Sequence, residues 1–281
     1  MVCIIFCTAA YTKAIFSPPH LFSHFIVTTP QLKRMHSNEE YNKTAMFYKQ
    51  VLLLLKDSGI EFMVGGSYAV FEYTDTTRET KDMDIYCRPR DYPKMMKFFA
   101  DKGYETQLYD VRWLAKVFDK EGKFIDIIFD TVNNLCKVDD EWFRRSRPAM
   151  VFDMNVQFIA PEHLIWGKMY VMNRERYDGA DVNHLLLKQG RNIDWNLLKE
   201  LMEPNWHILL SHLLMFQFVY PADYAEIMPR WLFDELIERA REQYDIPHAT
   251  EKVCRGPWID QTQYQVDIKE WNYKSYTIKT V

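Results

Sequence analysis

Residues 60–67 read IEFMVGGS, a short apolar run that leads straight into two glycines and a serine. The run Ile60 to Val64 predicts a buried strand, and residues 68–73 predict a short helix directly after the glycines. The first amides of a helix have no partner inside the helix and lie at its positive end, so such a turn binds phosphate well. Glycine lets the backbone approach the anion closely, and a serine hydroxyl adds a donor. The stretch therefore predicts a phosphate site made of Gly65, Gly66 and Ser67.

Two carboxylates lie at the start of the next predicted strand, residues 83–87, one directly before it and one within it. Asp82 and Asp84 stand two residues apart, so both point to one face of that strand. Carboxylates held together repel unless a cation lies between them, and oxygen ligands of this kind suit Mg²⁺, which shares its shell with substrate phosphates. A third carboxylate, Asp126, interrupts the apolar strand 124–129, where an unpartnered charge is costly. We predict that all three ligate Mg²⁺ and that Asp126 is the better candidate for activating an acceptor hydroxyl.

The order of these motifs resembles the nucleotidyltransferase superfamily with the polymerase-beta-type fold. The context Arg78 to Asp84 is similar to small bacterial nucleotidyltransferases. These include the abortive-infection toxins of toxin–antitoxin systems and the aminoglycoside and lincosamide nucleotidyltransferases. A later stretch is similar to a region of the abortive-infection group, and its residues are Lys168, Arg174, Arg176, Asp178 and Asp181. Where that group commonly has Lys-Asp, this chain has Asp178 followed by Gly179. The resemblance covers residues 60–190.

The resemblance implies a Mg²⁺-dependent enzyme that moves a nucleoside monophosphate from an NTP such as ATP to an acceptor hydroxyl and releases pyrophosphate. It also implies that Lys168 helps to hold the triphosphate. The acceptor stays open between a small hydroxylated molecule, a protein and RNA. The alternative is a non-catalytic member of the same fold, antitoxin-like or degenerate, that binds a nucleotide or a partner without turnover.

Each carboxylate also has a structural interpretation. Asp82 and Asp84 fit solvated carboxylates paired with Arg78 and Lys81. Asp126 fits a structural ion pair with one of two nearby cations, Arg112 or Lys123.

The later basic stretch has structural interpretations as well. Lys168 fits a surface lysine whose stem covers apolar neighbours. For the two nearby aspartates we prefer structural roles over ligand binding. Asp181 is expected to anchor Lys168 or Arg174, and Asp178 to cap a helix. The two arginines are expected to be solvated, or paired with Glu162 or Asp178, rather than to bind a ligand.

The periodicity of apolar residues changes near Pro161. We predict an α/β (α+β) protein with a mixed-sheet domain over 35–160, a helical subdomain over 161–245 and a short C-terminal β/loop tail over 246–281 that packs back. Residues 1–34 are predicted to be an extension outside the fold, because residues 37–40 after Met35 have the pattern of a capping box. Helices are predicted over 38–57, 91–102, 161–176, 178–189, 194–216 and 222–244. Further strands are predicted over 111–118, 150–159 and 264–268.

Composition excludes several classes of protein. The net charge of -4 argues against non-specific binding to DNA or RNA, which needs a basic surface. No apolar run approaches the ~18 residues of a membrane span. The 5 cysteines are irregularly spaced, with no C-x-x-C pair, so we expect neither zinc nor disulfides and a cytoplasmic location. No P-loop and no paired histidines of the zinc type occur.

Overall fold

A computed structural model describes residues 38–76, 80, 82–247 and 250–275 of the chain, with residues 38–41 described by backbone only. The predictions about segment 1–34, Arg78 and Lys81 lie outside the described residues. Among the residues that are described, no helix is both long and apolar enough to cross a membrane.

A seven-stranded mixed sheet lies at the centre of this part of the chain. Its strands are β1 (Met63–Val64), β2 (Asp84–Tyr86), β3 (Glu105–Asp110), β4 (Leu114–Phe118), β5 (Phe124–Ile128), β6 (Arg147–Val151) and β7 (Met154–Phe158). Their order across the sheet is β3-β4-β5-β2-β1-β7-β6. The pairs β1–β7 and β2–β5 are parallel, and the other four pairs are antiparallel. The three strands predicted to hold the site, β1, β2 and β5, are therefore neighbours.

The structure has a helix at each predicted position, a further helix over 140–145 that was not predicted, and an earlier end, at Met169, for the helix predicted over 161–176. The helices are α1 (Asn38–Ser58), α2 (Gly66–Thr74), α3 (Tyr92–Asp101), α4 (Asp140–Arg145), α5 (Pro161–Met169), α6 (Gly179–Gln189), α7 (Trp195–Met202), α8 (Trp206–Val219), α9 (Tyr224–Ile227), α10 (Arg230–Glu242) and α11 (Gln265–Lys269). Pro161 is in the first turn of α5, where its missing N–H costs nothing. Helix α6 packs on both α2 and α5, so the helical half adjoins the helix that follows the glycine turn.

One hydrophobic cluster joins the strands to the helices. It contains Leu52 of α1, Ile127 of β5, Leu186 of α6 and Leu232 of α10, each with no exposed surface. The apolar spacing of α1 and the apolar run of β5 produce this burial directly. The mixed α/β class predicted from the sequence is confirmed.

Some predicted boundaries were wrong. Residues 150–159 are not one strand, because β6 and β7 form a hairpin whose turn residues Phe152 and Asp153 have φ of 49° and 62°. Two left-handed residues in succession are typical of the tight turn that fits a twisted hairpin. The predicted helices 194–216 and 222–244 are each interrupted, at Pro204 and Pro229, because proline cannot continue the hydrogen-bond ladder. The edge strand β3 was not predicted.

The C-terminal segment also differs from its prediction. Residues 264–268 were predicted as a strand, but α11 occupies that position. The strands of this segment are β8 (Val253–Cys254) and β9 (Lys274–Ser275), which pair in parallel. Hydrogen bonds join the segment to the rest of the chain: Asn133 Nδ2 donates to the carbonyl of Trp258 at 3.0 Å, the Arg174 amide donates to Asp260 Oδ2 at 3.0 Å, and Gln261 Nε2 donates to the carbonyl of Val132 at 3.2 Å.

Candidate active site

The turn between β1 and α2 places a carboxylate against the start of a helix. Gly66 opens α2 with φ of +54°, and a Cβ added to it would lie 1.5 Å from Asp84 Oδ2. The Gly65 amide donates to the Asp84 carbonyl at 3.0 Å, which holds the turn beside β2. At Gly65, a Cβ would lie 2.3 Å from the Tyr86 ring. Both glycines are therefore required by close packing, and the Asp84 carboxylate lies at the positive end of α2.

Asp84 and Asp126 are directly opposite each other on the parallel strands β2 and β5. Residues paired in this way on neighbouring strands project to the same face of the sheet. Asp84 is half-buried and Asp126 is 8% exposed. The structure thus brings together two carboxylates that lie 42 positions apart in sequence, since their numbers are 84 and 126.

Asp82 lies just before β2, in a segment where backbone pairing with the neighbouring strand continues. The Asp126 amide donates to the Met83 carbonyl at 3.0 Å, so the pairing with β5 extends beyond the strand itself. Thr80 Oγ1 donates to the carbonyl of Asp82 at 3.0 Å and to its Oδ1 at 3.3 Å. The partners proposed from sequence, Arg78 and Lys81, lie outside the described residues.

The three carboxylates act on one another electrostatically. Burial and, after it, the charges of Asp82 and Asp126 raise the pKa of Asp84 to about 7, while Lys168 and Arg176 oppose the shift. Burial also raises the pKa of Asp126, opposed by Lys116 and reinforced by Asp82. Mutual repulsion of this kind is the electrostatic signature of a site that accepts a cation.

Lys116 of β4 is the direct partner of Asp126. Its Nζ lies 2.6 Å from Asp126 Oδ1, with the two side chains 15% and 11% exposed. The proposed partners were wrong, because Arg112 pairs with Asp110 and Lys123 pairs with Asp119 and Glu121. The hairpin explains this: Phe118 opposes Phe124, so counting two residues outward on each strand sets Lys116 opposite Asp126.

Lys168 is buried on α5 and forms two ion pairs. Its Nζ lies 2.7 Å from Asp178 Oδ2 and 2.8 Å from Asp181 Oδ2. Asp181 therefore anchors Lys168, as its structural interpretation predicted. Lys168 is 6% exposed and not a surface lysine. The role of Lys168 in holding a triphosphate stays a prediction, supported by its charge acting on Asp84.

Arg176 extends this group of charges to the protein surface. Its Nε and Nη2 bind both oxygens of Asp178 at 2.7 and 2.8 Å, as the ion-pair interpretation predicted. Although burial raises the pKa of Asp178, the hydrogen bond from Arg176 and the charge of Lys168 hold it below its usual range. Asp178 lies at the first position before α6 but its side chain makes no capping hydrogen bond, so that expected role was wrong.

The charges of the three carboxylates act on Tyr48, a residue that the sequence did not indicate. It lies on α1 and is 2% exposed. Burial raises its pKa, and so do the charges of Asp82, Asp84 and Asp126. A tyrosine within a regular apolar helix pattern gives no signal that distinguishes it from an ordinary core residue.

The donors present fit a hard divalent cation by their chemistry. Carboxylate oxygens are the ligands Mg²⁺ takes, and two protein carboxylates with phosphate oxygens are enough to hold it. Asp82 and Asp84 are the pair that fits, because Asp126 already shares one oxygen with an ammonium group. Within the described ranges, no three His, Cys, Asp or Glu side chains come together as a ready-made metal group.

Comparison with known proteins gives one family and several distant structures. The model of a family described as "Uncharacterised nucleotidyltransferase" matches residues 29–217. A search of curated proteins gave no match. Three solved structures illustrate the similarity, and none of them decides the substrate of this chain. They are the antibiotic-resistance factor ANT(2'')-Ia (12% identity, 61% of this chain and 97% of that chain, TM-score 0.45), the lincosamide antibiotic adenylyltransferase LnuA (18%, 51% and 95%, 0.37) and JHP933 from Helicobacter pylori (10%, 75% and 99%, 0.38).

Proposed function

The chain belongs to the uncharacterised nucleotidyltransferase family, and from that membership we propose that it is an active, Mg²⁺-dependent enzyme that transfers a nucleoside monophosphate from an NTP. The acceptor is a hydroxyl group, and pyrophosphate is released. The observation that supports this most directly is the position of the Asp84 carboxylate, against Gly66 at the start of α2 and opposite Asp126. An anion-binding helix end and a cation-binding carboxylate pair are then within one site.

In this proposal the triphosphate binds at the start of α2. As the first residues of this helix, Gly66 and Ser67 have amides without a carbonyl partner inside the helix. The Asp84 carboxylate lies against Gly66 at this end of the helix, and the Ser67 hydroxyl adds a donor. Asp82 and Asp84 would hold Mg²⁺, which when bound neutralises phosphate charge and stabilises the leaving pyrophosphate.

The acceptor is placed on the Asp126 side. Its hydroxyl oxygen forms a new bond to the α-phosphorus as the bond from that phosphorus to the pyrophosphate oxygen breaks. The proton leaves the hydroxyl for Asp126, whose pKa is raised by burial, the direction that favours a base. Lys168 and Arg176 add positive charge on the Asp84 side, which favours the polyanionic nucleotide.

The test uses each labelled NTP with a cell extract as the source of acceptor. We expect one labelled product, formed only with Mg²⁺, and its mass class distinguishes a small molecule, a protein and RNA. Asp82→Asn and Asp84→Asn should each abolish labelling while the circular dichroism spectrum is unchanged. Full activity in either variant would overturn the assignment of these carboxylates. Metal-dependent NTP binding with no product from any extract would favour the alternative, a member that binds without turnover.

A further inference from the structure

A row of polar side chains crosses four strands and ends in the candidate site. Gln107 opposes Lys116, Lys116 opposes Asp126, and Asp126 opposes Asp84, so all four project to the same face of the sheet. Gln107 lies on the edge strand and is exposed, whereas Asp126 is buried. The one cation of this row therefore lies next to the carboxylate assigned to the acceptor side.

The Lys116 ammonium group is fixed in position from several sides. In addition to its bond with Asp126 Oδ1, its Nζ lies 4.1 Å from the centroid of the Phe124 ring and 5.4 Å from that of the Tyr109 ring. Both rings present a negative face to a cation. The Lys116 side chain is only 15% exposed, and its charge contacts a carboxylate and two aromatic rings. The ammonium group is therefore an ordered component of the site.

This fixed charge changes how many divalent ions the carboxylates can hold. Asp82, Asp84 and Asp126 together carry three negative charges. One divalent ion at Asp82 and Asp84, together with the ammonium at Asp126, balances them. A second divalent ion on Asp126 would have to approach to within an ion-pair distance of Lys116, and like charges repel strongly in a partly buried site.

We propose that the Lys116 ammonium group takes the place of a second metal ion, so that the nucleotide complex of this protein binds one divalent cation. The inference rests on the proposed function, because it assumes that Asp82 and Asp84 hold the first ion. It adds that Lys116 positions Asp126 and supplies the positive charge on the acceptor side. Removal of the ammonium opens Asp126 to a second ion.

The test counts Mn²⁺ ions by electron paramagnetic resonance in the presence of a non-hydrolysable ATP analogue. We expect one tightly bound ion per chain in the natural protein. In Lys116→Gln, which keeps a hydrogen-bond donor but loses the charge, a second ion should bind roughly tenfold more tightly or better than it does to the natural protein. Lys116→Arg retains the charge and should still bind one. The matched control is Lys199→Gln, because Lys199 also pairs with a carboxylate, Glu235 at 2.7 Å, and lies near a ring, Trp231.

The outcomes separate this inference from the proposed function. Two tight ions in the natural protein would overturn the inference and leave the nucleotidyltransferase assignment intact. A count of one ion in both the natural protein and Lys116→Gln would also overturn the inference and leave the nucleotidyltransferase assignment intact. No protein-bound Mn²⁺ with the corresponding analogue of any of the four NTPs would overturn both. If Lys116→Gln does not fold, Lys116→Met takes its place, and the count in the natural protein decides alone if neither variant folds.

Discussion

Oδ2 of Asp84 occupies the space in which a side chain at position 66 would begin, 1.5 Å from an added Cβ. The glycine and the carboxylate are on different elements, the start of α2 and the start of β2, and the hydrogen bond from the Gly65 amide to the Asp84 carbonyl holds those elements together. The absence of a side chain at position 66 is thus what allows a carboxylate to lie at the amide end of a helix.

Gly66→Ala should therefore remove nucleotide binding. The new methyl group must displace the Asp84 carboxylate, and the φ of +54° strains any L side chain. We expect the affinity for an NTP with Mg²⁺ to fall at least about tenfold, which isothermal titration calorimetry measures directly. Gly59→Ala is the matched control: its φ is +69°, but an added Cβ meets nothing within 4 Å. An equal loss of affinity in both variants would show that backbone strain, and not the contact with Asp84, matters, whereas natural affinity in Gly66→Ala would contradict the prediction.

Lys168→Met should destabilise the fold, because it removes the ammonium group that two buried carboxylates share. Asp178 keeps Arg176 as a partner, but Asp181 loses the ammonium at 2.8 Å and remains buried. Removal of one member of a buried ion pair costs about 3 kcal/mol of unfolding free energy or more. We expect Lys168→Met combined with Asp181→Asn to recover part of that loss in urea unfolding, since the buried side chain that faced Lys168 is then neutral.

The same variants test the predicted nucleotide contact of Lys168. If its charge helps to hold the triphosphate, the double variant stays weak in NTP binding even though its stability is partly restored. Lys199→Met, which breaks a half-exposed ion pair with Glu235, should change stability by no more than about 1 kcal/mol and leave binding unchanged. Full NTP affinity in the double variant would contradict the contact.

Asp126→Asn should separate binding from transfer. Asparagine keeps an oxygen that accepts from Lys116 but cannot take a proton, so we expect kcat to fall roughly 100- to 10,000-fold with little change in NTP affinity. Asp110→Asn is the control, because Asp110 also lies on a strand of this sheet and pairs with a cation, Arg112. A similar loss of kcat in both variants would mean that the change acts through the sheet and not through proton transfer.

Much of this site follows from local sequence, and the rest depends on pairing between distant strands. The turn of Gly65 and Gly66 and the strand of Asp84 could be predicted because each has a short pattern of its own. Lys116 could have been found from the hairpin register, which puts Phe118 opposite Phe124. Tyr48 could not have been found from the sequence, because only the tertiary fold brings α1 to the carboxylates.

The misassigned elements have similarly physical explanations. The turn at Phe152 and Asp153 has neither glycine nor asparagine, the usual signals of left-handed backbone, so the hairpin of β6 and β7 looked like one strand. Residues 264–268 alternate in polarity like a strand, yet so short a segment is also compatible with one turn and a half of helix, and α11 forms.

His163 supplies a prediction about pH. It lies on α5, 1% exposed, with its ring centroid 4.6 Å from that of Trp142. Burial lowers its pKa to about 4; the charge of Asp139 opposes this shift, and that of Arg145 reinforces it. The unfolded chain takes up this proton near pH 6.5, whereas the folded chain does so only near pH 4, so between these values the unfolded state binds more protons. The contribution of His163 to stability is therefore complete above pH 6.5 and is lost as the pH falls towards 4.

His163→Phe removes this titration while keeping a ring beside Trp142. We expect the natural protein to lose up to about 3 kcal/mol more unfolding free energy than the variant between pH 7 and pH 4. Urea unfolding at several pH values measures the difference, and the comparison at pH 8, where the histidine is neutral in both states, isolates the packing cost of the substitution. The carboxylates of the chain titrate equally in the natural protein and the variant. Parallel stability curves would therefore mean that His163 is protonated as readily in the folded chain as in the unfolded one.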